Sequence, residues 1–344
     1  MTKLGAIMES EIAQTPDIFA KLINTDLFSE ELSQILEKNQ IQSILILARG
    51  TSDNAAHFFK YLVETQLGLP CGLTSPSSVT IYKSKLHYEK TLVVALSQSG
   101  MSTDLVEFAK AARSSGAKIV AITNNEKSDL ALNSDHHIPL LTGPELAVAA
   151  TKSYSAQLLI SYLLVMKWAG KVPQTEKLID EARAVLSNRG KITEIAKQID
   201  LKSEIVALGR GFAYPNAKEA ALKIQETCKV SVHGLSTADY LHGPISALNE
   251  SSQVIFLAPC CMPEKSISEA LIKIRKITNK IFWIGNVDVV QPGESNLGGS
   301  CCSDEITSTI VDSMILQELA LQLSVANGFD PDAPAGLSKV TMTI

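Results

Sequence analysis

The chain has 344 residues, of which 45% are hydrophobic and 19% charged, with a formal net charge of −5. This length predicts about two domains. The lack of a basic cluster argues against nucleic acid as a partner, and no apolar run reaches the roughly 20 residues of a membrane span. No signal-peptide pattern opens the chain. We therefore expect a cytoplasmic protein, with no membrane partner, whose six cysteines are reduced thiols.

In chain order, residues 1–38 are predicted to form leading helices. Short apolar segments then alternate with longer amphipathic ones, which predicts parallel βαβ units with helices on both faces of a sheet. The predicted strands cover about 43–48, 70–73, 92–96, 118–122 and 137–140, then about 204–208, 230–232, 253–258 and 280–284. A charged helix over about 175–187 is expected to bridge the two halves. The Pro- and Gly-rich end, 330–344, has a composition typical of either a disordered tail or a lid.

The strand-like segments repeat. Val93–Leu96 is echoed by Val254–Leu257 at an offset of 161 residues (254 − 93), and Lys118–Ile122 is echoed by Lys280–Ile284 at 162 (280 − 118). Residues 44–50 are echoed by 205–211, again at 161. Offsets this constant predict a duplicated domain.

The most informative segment is Ser97-Gln98-Ser99-Gly100, which lies between a predicted strand and a predicted helix. Backbone N–H groups and hydroxyls at the positive end of a helix can hold an anion, most often phosphate. The alternative is a serine-rich turn that only caps the helix. The equivalent segment of the second half, 258–261, has no hydroxyl and no glycine, so we expect one phosphate site per chain.

Other chemistry-bearing residues have two interpretations each. Lys223 and Glu226 are three residues apart on a predicted helix. This spacing is typical of either a solvated surface pair or an acid–base pair in a cleft. His242 precedes a Gly-Pro turn and is either a plain loop histidine or a titrating group. We expect His136-His137 to be a loop pair. No Cys-x-x-Cys pattern supports a zinc site from the two cysteine pairs, so no metal is expected.

Several motifs, in order, resemble those of double sugar isomerase (SIS) domain proteins, above all the isomerase half of glucosamine-6-phosphate synthase and the SIS-type glucosamine-6-phosphate deaminases. The motifs are Gly50-Thr51-Ser52, Ser97-Gln98-Ser99-Gly100 with Ser102, the 143–152 segment GPELAVAATK, Gly209-Arg210-Gly211, the 219–226 segment EAALKIQE, Leu241-His242-Gly243-Pro244 and Leu337-Ser338-Lys339. The resemblance implies an α/β fold of two tandem SIS domains, each a parallel flavodoxin-like sheet flanked by helices. The implied boundaries are N-terminal helices at 1–38, SIS domain 1 at 39–172, the bridging helix with SIS domain 2 at 173–329, and a closing tail at 330–344.

The resemblance also implies roles. Glu226 would move a proton between C1 and C2 of the sugar, Lys223 would stabilise the developing negative charge, and Lys339 would lie at the carbonyl carbon. His242, from the neighbouring subunit of a homodimer, would assist ring opening. Substrate would be bound by Gly50, Thr51 and Ser52, by Ser97, Gln98, Ser99 and Ser102 at the phosphate, and by the backbone of Val148 and Ala149. No cofactor is implied.

Two substitutions depart from the family pattern, because Ala150 stands where the family has Ser and Ser102 where it has Thr. No glutaminase segment precedes Met1, so synthesis from glutamine is not expected.

The sequence thus predicts an amino sugar phosphate deaminase/isomerase that converts glucosamine 6-phosphate to fructose 6-phosphate and ammonia. A deglycase of fructosamine or fructose-lysine phosphates would use the same residues. A non-catalytic phosphosugar sensor is a third hypothesis, although a sensor would not need Glu226 or Lys339. A purely structural dimer would leave the hydroxyl-rich loop unexplained.

Overall fold

The computed structural model describes residues 3–36, 41–285 and 288–339. The chain divides into two compact units, each built around one parallel sheet. Unit A comprises Ile18–Glu145, Ala156–Pro173 and Ser338–Ile344. Unit B comprises Met1–Asp17, Leu146–Ser155 and Gln174–Leu337.

The sheet of unit A has five parallel strands in the order β2-β1-β3-β4-β5. The strands are β1 (Ser43–Leu47), β2 (Cys71–Leu73), β3 (Thr91–Ser97), β4 (Lys118–Thr123) and β5 (His136–Pro139). The central strand β3 is buried along its whole length, as expected for its β-branched and apolar residues. All five predicted strands of this half are confirmed within two residues at each end.

The sheet of unit B repeats this plan. Its strands are β6 (Ile205–Gly209), β7 (Val232–Ser236), β8 (Gln253–Ala258), β9 (Ile281–Gly285) and β10 (Ser295–Asn296), in the order β10-β9-β8-β6-β7. Counted within the unit, both sheets have the order 2-1-3-4-5. The predicted α/β class with parallel sheets is confirmed. Strand β10 was not predicted, because two polar residues carry no recognisable pattern.

The pairing register is repeated as well. Val93 pairs with Ile119 in unit A, and Val254 pairs with Ile281 in unit B. Val254 follows Val93 by 161 residues and Ile281 follows Ile119 by 162, which are the offsets of the sequence repeat. The repeat therefore extends from strand order to the pairing of individual residues.

Fourteen α-helices are assigned in the described ranges. They are α1 (Ala6–Ala13), α2 (Thr15–Asn24), α3 (Glu30–Ile35), α4 (Thr51–Leu62), α5 (Ser77–Thr80), α6 (Thr103–Ser114), α7 (Asp129–Leu132), α8 (Lys152–Ala169), α9 (Leu178–Ser187), α10 (Arg189–Ala196), α11 (Ala213–Cys228), α12 (Thr237–Leu241), α13 (Ser268–Ile274) and α14 (Glu305–Ala326). A π-helical turn, Val63–Leu67, extends α4.

The core of unit B contains a buried aromatic pair, in which the rings of Phe256 and Trp283 lie 4.8 Å apart. The Trp283 indole N–H donates to Glu294 at 2.7 Å, so its one polar atom is satisfied. Burial acts to raise the pKa of Glu294, but the hydrogen bonds from Arg275, Gln291 and Trp283 outweigh it and lower that pKa.

Helix α14 is long and apolar enough to cross a membrane, judged by length and composition alone. However, 83% of its 18-residue apolar stretch is buried inside the protein. Its buried residues include the polar side chains of Asp312, Ser313 and Gln317. These features are typical of a core helix.

Candidate active site

The predicted phosphate loop lies in unit A between β3 and α6. Ser97 is the last residue of the strand, and Ser102 is the residue that precedes the helix. Gly100 has a φ of +65°, and a Cβ at this position would lie 2.2 Å from Ser128 Oγ. Glycine is therefore required here both by the backbone conformation and by the close neighbour.

Hydrogen bonds inside this loop keep the hydroxyls oriented. Ser97 Oγ accepts the N–H of Gly100 at 3.1 Å, and Ser99 Oγ accepts the N–H of Met101 at 3.2 Å. A hydroxyl that accepts one bond can still donate its own proton. Ser102 makes no side-chain capping bond to α6, so the N-terminal N–H groups of the helix are not capped by that residue. These are the elements of an anion cradle.

The second predicted segment of unit A, Gly50–Ser52, follows β1, which pairs with β3. Because parallel strands end at a common edge, Thr51 and the phosphate loop share that edge of the sheet. Gly50 has a φ of +55°. Ser52 is buried, and its hydroxyl accepts a bond from Gln157 Nε2 at 2.9 Å.

Two ion pairs of unit A were not predicted. Arg49 donates from Nε to Asp104 at 2.9 Å and so ties the end of β1 to the first turn of α6. Lys339 donates from Nζ to Glu145 at 3.0 Å. The Glu145 side chain is fully buried, whereas that of Lys339 is 24% exposed. Glu145 belongs to the GPE motif, which is the sequence signal that could have identified it.

The predicted acid–base residues lie in unit B on α11. The Lys223 side chain is 1% exposed and contacts the Glu226 carboxylate, which is 24% exposed. A second carboxylate, Glu219, is fully buried 3.6 Å from Lys223 Nζ. Lys223 is therefore not part of a solvated surface pair. Glu219, which was not predicted, is one helical turn before Lys223, and this i,i+4 spacing was the available signal.

The chain segment with Val148 and Ala149 is held inside unit B. The Glu11 carboxylate accepts the N–H groups of Leu146 and Ala147, the latter at 3.3 Å. The Val148 N–H donates to the Asp332 carbonyl at 3.3 Å. The backbone N–H of Val148 thus has an internal partner, while Ala149 is buried.

The tail is part of this arrangement. The Asp332 carboxylate accepts the N–H groups of Ile7 and Met8 at the start of α1, at 2.9 and 2.7 Å. Pro331 and Pro334 are buried. The apolar tail residues Val340 and Ile344 lie outside the described residues.

The remaining predicted residue, His242, follows α12 and is exposed. Its backbone N–H donates to the Asp239 carbonyl at 3.1 Å. The next residue, Gly243, has a φ of +149° and leads into a 3-10 turn that begins at Pro244. An exposed histidine on this turn agrees with the sequence interpretation of its environment.

Among residues 3–36, 41–285 and 288–339, no group of three or more His, Cys, Asp or Glu side chains is arranged to hold a metal. His136 and His137 lie on β5 rather than in the expected loop, because they continue the parallel pairing with β4. Thr123 Oγ1 lies 2.9 Å from His137 Nε2, and burial lowers the pKa of both histidines.

Comparison with known proteins agrees with this architecture. The sequence profile of the SIS domain matches residues 38–167. The isomerizing glutamine–fructose-6-phosphate aminotransferase of Methanothermobacter thermautotrophicus is 29% identical over 317 residues, which cover 91% of this chain and 53% of the relative. The same enzyme from Pyrococcus horikoshii is 30% identical over 308 residues, which cover 86% of this chain and 51% of the relative. The chain thus spans about half the length of the curated relatives it matches.

The fold is similar to that of solved structures. The C-terminal domain of glucosamine-fructose-6-phosphate aminotransferase from Francisella tularensis superposes with a TM-score of 0.85 at 21% identity, covering 95% of this chain and 97% of that one. Glucosamine-6-phosphate deaminase from Thermotoga maritima gives 0.80 at 22% identity, covering 98% and 100%. The chain contains a SIS domain at residues 38–167 and is homologous, along most of its length, to the isomerizing glutamine–fructose-6-phosphate aminotransferases.

Proposed function

We propose that this protein is an amino sugar phosphate deaminase/isomerase that converts glucosamine 6-phosphate and water to fructose 6-phosphate and ammonia. One observation carries the proposal: the partly exposed carboxylate of Glu226 contacts the buried ammonium of Lys223. A partly exposed carboxylate beside a fixed positive charge is suited to proton transfer next to a carbonyl.

Binding in this proposal begins at the phosphate. Ser97, Gln98, Ser99 and Ser102 hold the phosphate with hydroxyls, the Gln98 amide and the N–H groups at the start of α6. Support comes from the loop hydrogen bonds at Ser97 and Ser99, which leave each hydroxyl proton to donate. Gly50, Thr51, Ser52 and the backbone of Val148 and Ala149 are assigned to the sugar.

The chemical step moves a proton from C2 to C1 and a proton from the amine to O1, and then releases ammonia. Glu226 removes the proton from C2 of the open-chain aldehyde, and negative charge develops on O1. The Lys223 ammonium stabilises this charge. The same carboxyl group returns the proton to C1, O1 takes up the proton that the C2 amine gives up, and an imine remains at C2. Water adds to C2, the C–N bond breaks, and ammonia leaves as the ketone forms. A single carboxylate suffices, because once it has removed the C2 proton it is itself the acid that protonates C1.

Two further residues complete the assignment. Lys339 supplies a second positive charge at the carbonyl. The hydrogen bond from its ammonium to Glu145 supports this role, because it holds the ammonium in place. His242 assists ring opening and is contributed by the partner subunit of a homodimer. The exposure of His242 at the end of α12 is compatible with that role. We also assign the sheet of unit B to a second SIS domain, because it has the strand order of the first.

The test is to incubate the purified protein with amino sugar 6-phosphates, fructose-lysine 6-phosphate, and fructose 6-phosphate with either ammonia or glutamine. Release of ammonia from glucosamine 6-phosphate, together with exchange of the C2 proton into solvent, is expected. Turnover of the lysine adduct alone would replace the deaminase by the deglycase. Tight phosphosugar binding with no exchange on any substrate would identify a sensor and overturn the proposal.

A further inference from the structure

Three thiols lie together in unit B, beyond the carboxyl end of β8. Cys260 Sγ is 3.0 Å from Cys301 Sγ and 3.9 Å from Cys261 Sγ. Cys261 and Cys301 are exposed, and Cys260 is partly exposed. The proposed catalytic residues do not include any of them. The sequence gives no hint of this cluster, because its two cysteine pairs are about 40 residues apart.

The cluster occupies the position that corresponds to the phosphate loop. With the offset of 161, Ser99 corresponds to Cys260 and Gly100 to Cys261. The backbone is conserved between the copies, since Gly100 has a φ of +65° and Cys261 a φ of +68°. This left-handed conformation is unfavourable for a residue with a side chain, and here it is held by the turn in which Met262 N–H donates to Pro259 O. The second copy thus has the same turn, with Cys260 in place of Ser99 and Cys261 in place of Gly100.

Neither of the two closest thiols is held rigidly by regular structure. Cys260 lies in the turn after β8, and Cys301 lies in the loop before α14. Their sulfurs need to approach by about 1 Å to reach the 2.03–2.05 Å of a disulfide bond. The Cys301 backbone is anchored through its N–H to Glu181 at 3.1 Å. Side-chain rotation on two loop residues can close such a gap without moving a strand.

We propose that Cys260 and Cys301 form a reversible, redox-sensitive disulfide, a modification site that is independent of the proposed catalysis. The two-electron oxidant in this proposal is a peroxide, for which hydrogen peroxide serves as the example. The Cys301 thiolate attacks one peroxide oxygen, the O–O bond breaks, and a sulfenic acid and water result. Cys260 sulfur then attacks Cys301 sulfur, the S–O bond breaks, and the hydroxyl leaves as water with the Cys260 proton. Two thiols lose two electrons, and one peroxide becomes two waters.

The order of the two steps follows from the surroundings. Burial and the neighbouring thiols raise the pKa of Cys260 to about 12, which keeps this group protonated. Of the two exposed thiols, Cys301 lies 3.0 Å from Cys260 and Cys261 lies 3.9 Å from it, so a sulfenic acid on Cys301 is the one that Cys260 is best placed to resolve. Cys302, next to it, is buried, and burial together with the Asp312 and Glu181 charges raises its pKa to about 12. Cys302 is thus a poor competitor for the oxidant.

The experiment treats the full-length protein with sub-millimolar hydrogen peroxide, blocks remaining thiols, and measures intact mass and the non-reduced peptide map. Trypsin leaves Cys260 and Cys261 together in peptide 230–265, and Cys301 and Cys302 together in 281–339. The map alone therefore cannot assign the pair. Cys260→Ser and Cys301→Ser are the tests, while Cys261→Ser and Cys302→Ser are the matched controls, since each alters the neighbouring thiol in the same peptide.

The expected result is the loss of two hydrogens and a cross-link between the two peptides, reversed by a dithiol. The cross-link should disappear in both tests and persist in both controls, and the oxidised protein should melt several degrees higher, because the bond closes a long loop. A cross-link that persists in Cys301→Ser, or oxidation that yields only sulfinic acid, would overturn the proposal.

Discussion

Lys339 Nζ donates a hydrogen bond to the fully buried carboxylate of Glu145 at 3.0 Å, although the two residues are 194 positions apart. A buried carboxylate is costly to desolvate unless a partner offsets the cost. Here the partner is a partly exposed ammonium near the end of the described chain. Glu145 therefore fixes the position of Lys339, the tail residue that the proposed mechanism places at the sugar carbonyl.

We predict that Glu145→Gln lowers kcat roughly 10–100-fold, because Lys339 loses the partner that orients it. Lys339→Met should lower kcat at least as much. The decisive measurement is the double variant. If Glu145 acts through Lys339, Glu145→Gln adds no further loss in a Lys339→Met background, whereas multiplicative losses would show that Glu145 has a separate role.

We predict that Ser99→Ala raises KM for a phosphosugar roughly 10–100-fold, since a hydrogen bond to a charged group contributes about 1.5–3 kcal/mol. Stability should change much less. The matched control is Cys260→Ala under reducing conditions, which makes the equivalent truncation in the second copy and should leave KM unchanged. Phosphate bound at the 258–261 turn instead of at 97–102 would contradict the assignment.

The buried central strands of both sheets could be predicted because burial on both faces demands continuous apolar runs, which are visible in the sequence, whereas the short polar strand β10 could not. The duplication could be predicted because register and order were both preserved. The position of the predicted phosphate loop, between β3 and α6, could be predicted because its hydroxyls, its glycine and the helix that follows are consecutive. For the strands and the loop the signal lies within about ten residues, and for the duplication it lies in short segments repeated at a constant offset.

Contacts between distant residues could not be predicted. Ser52 receives its hydrogen bond from Gln157, 105 positions away, and Cys260 meets Cys301, 41 positions away. Neither contact leaves a periodic or local pattern. Burial of Lys223 was equally hidden, because the sequence of α11 is compatible with either a solvated or a buried face.

We predict that Glu226→Gln lowers kcat roughly 10²–10⁴-fold with little change in substrate binding, because volume is kept and the base is removed. The control is Glu194→Gln, which removes a carboxylate from another i,i+3 pair, that with Lys197 at 2.6 Å, in which both side chains are exposed. The control should keep full activity. A near-wild-type rate of C2 proton exchange in Glu226→Gln would refute the assignment of the base.

We predict that mixing inactive Glu226→Gln subunits with inactive His242→Ala subunits restores part of the activity. If His242 acts in the partner's site, a mixed dimer contains one site with both residues intact. Subunit exchange has to be shown separately, by native mass spectrometry of differently tagged chains. Exchange without recovered activity would mean that each site is complete within one chain.

The last prediction concerns stability and pH. Asp312 is buried in α14, where desolvation raises its pKa from 3.8 to about 7 despite two hydrogen bonds from Ser300 to Oδ1, both 2.8 Å. Oδ2 has no hydrogen-bond partner among the described residues. The folded protein therefore keeps a proton that the unfolded chain loses above about pH 4.

The sign of the effect follows from this proton. The contribution of Asp312 to stability is complete below about pH 4, falls as pH rises, and is lost by about pH 7, an effect of roughly 4 kcal/mol. Asp312→Asn retains an acceptor for Ser300 but cannot ionise. We expect this variant to have a free energy of unfolding that changes less between pH 5 and pH 8 than that of the wild type, and to exceed the wild type at pH 8. Denaturation by urea at the two pH values measures both, and equal pH dependence in the two proteins would show that Asp312 does not carry the titration.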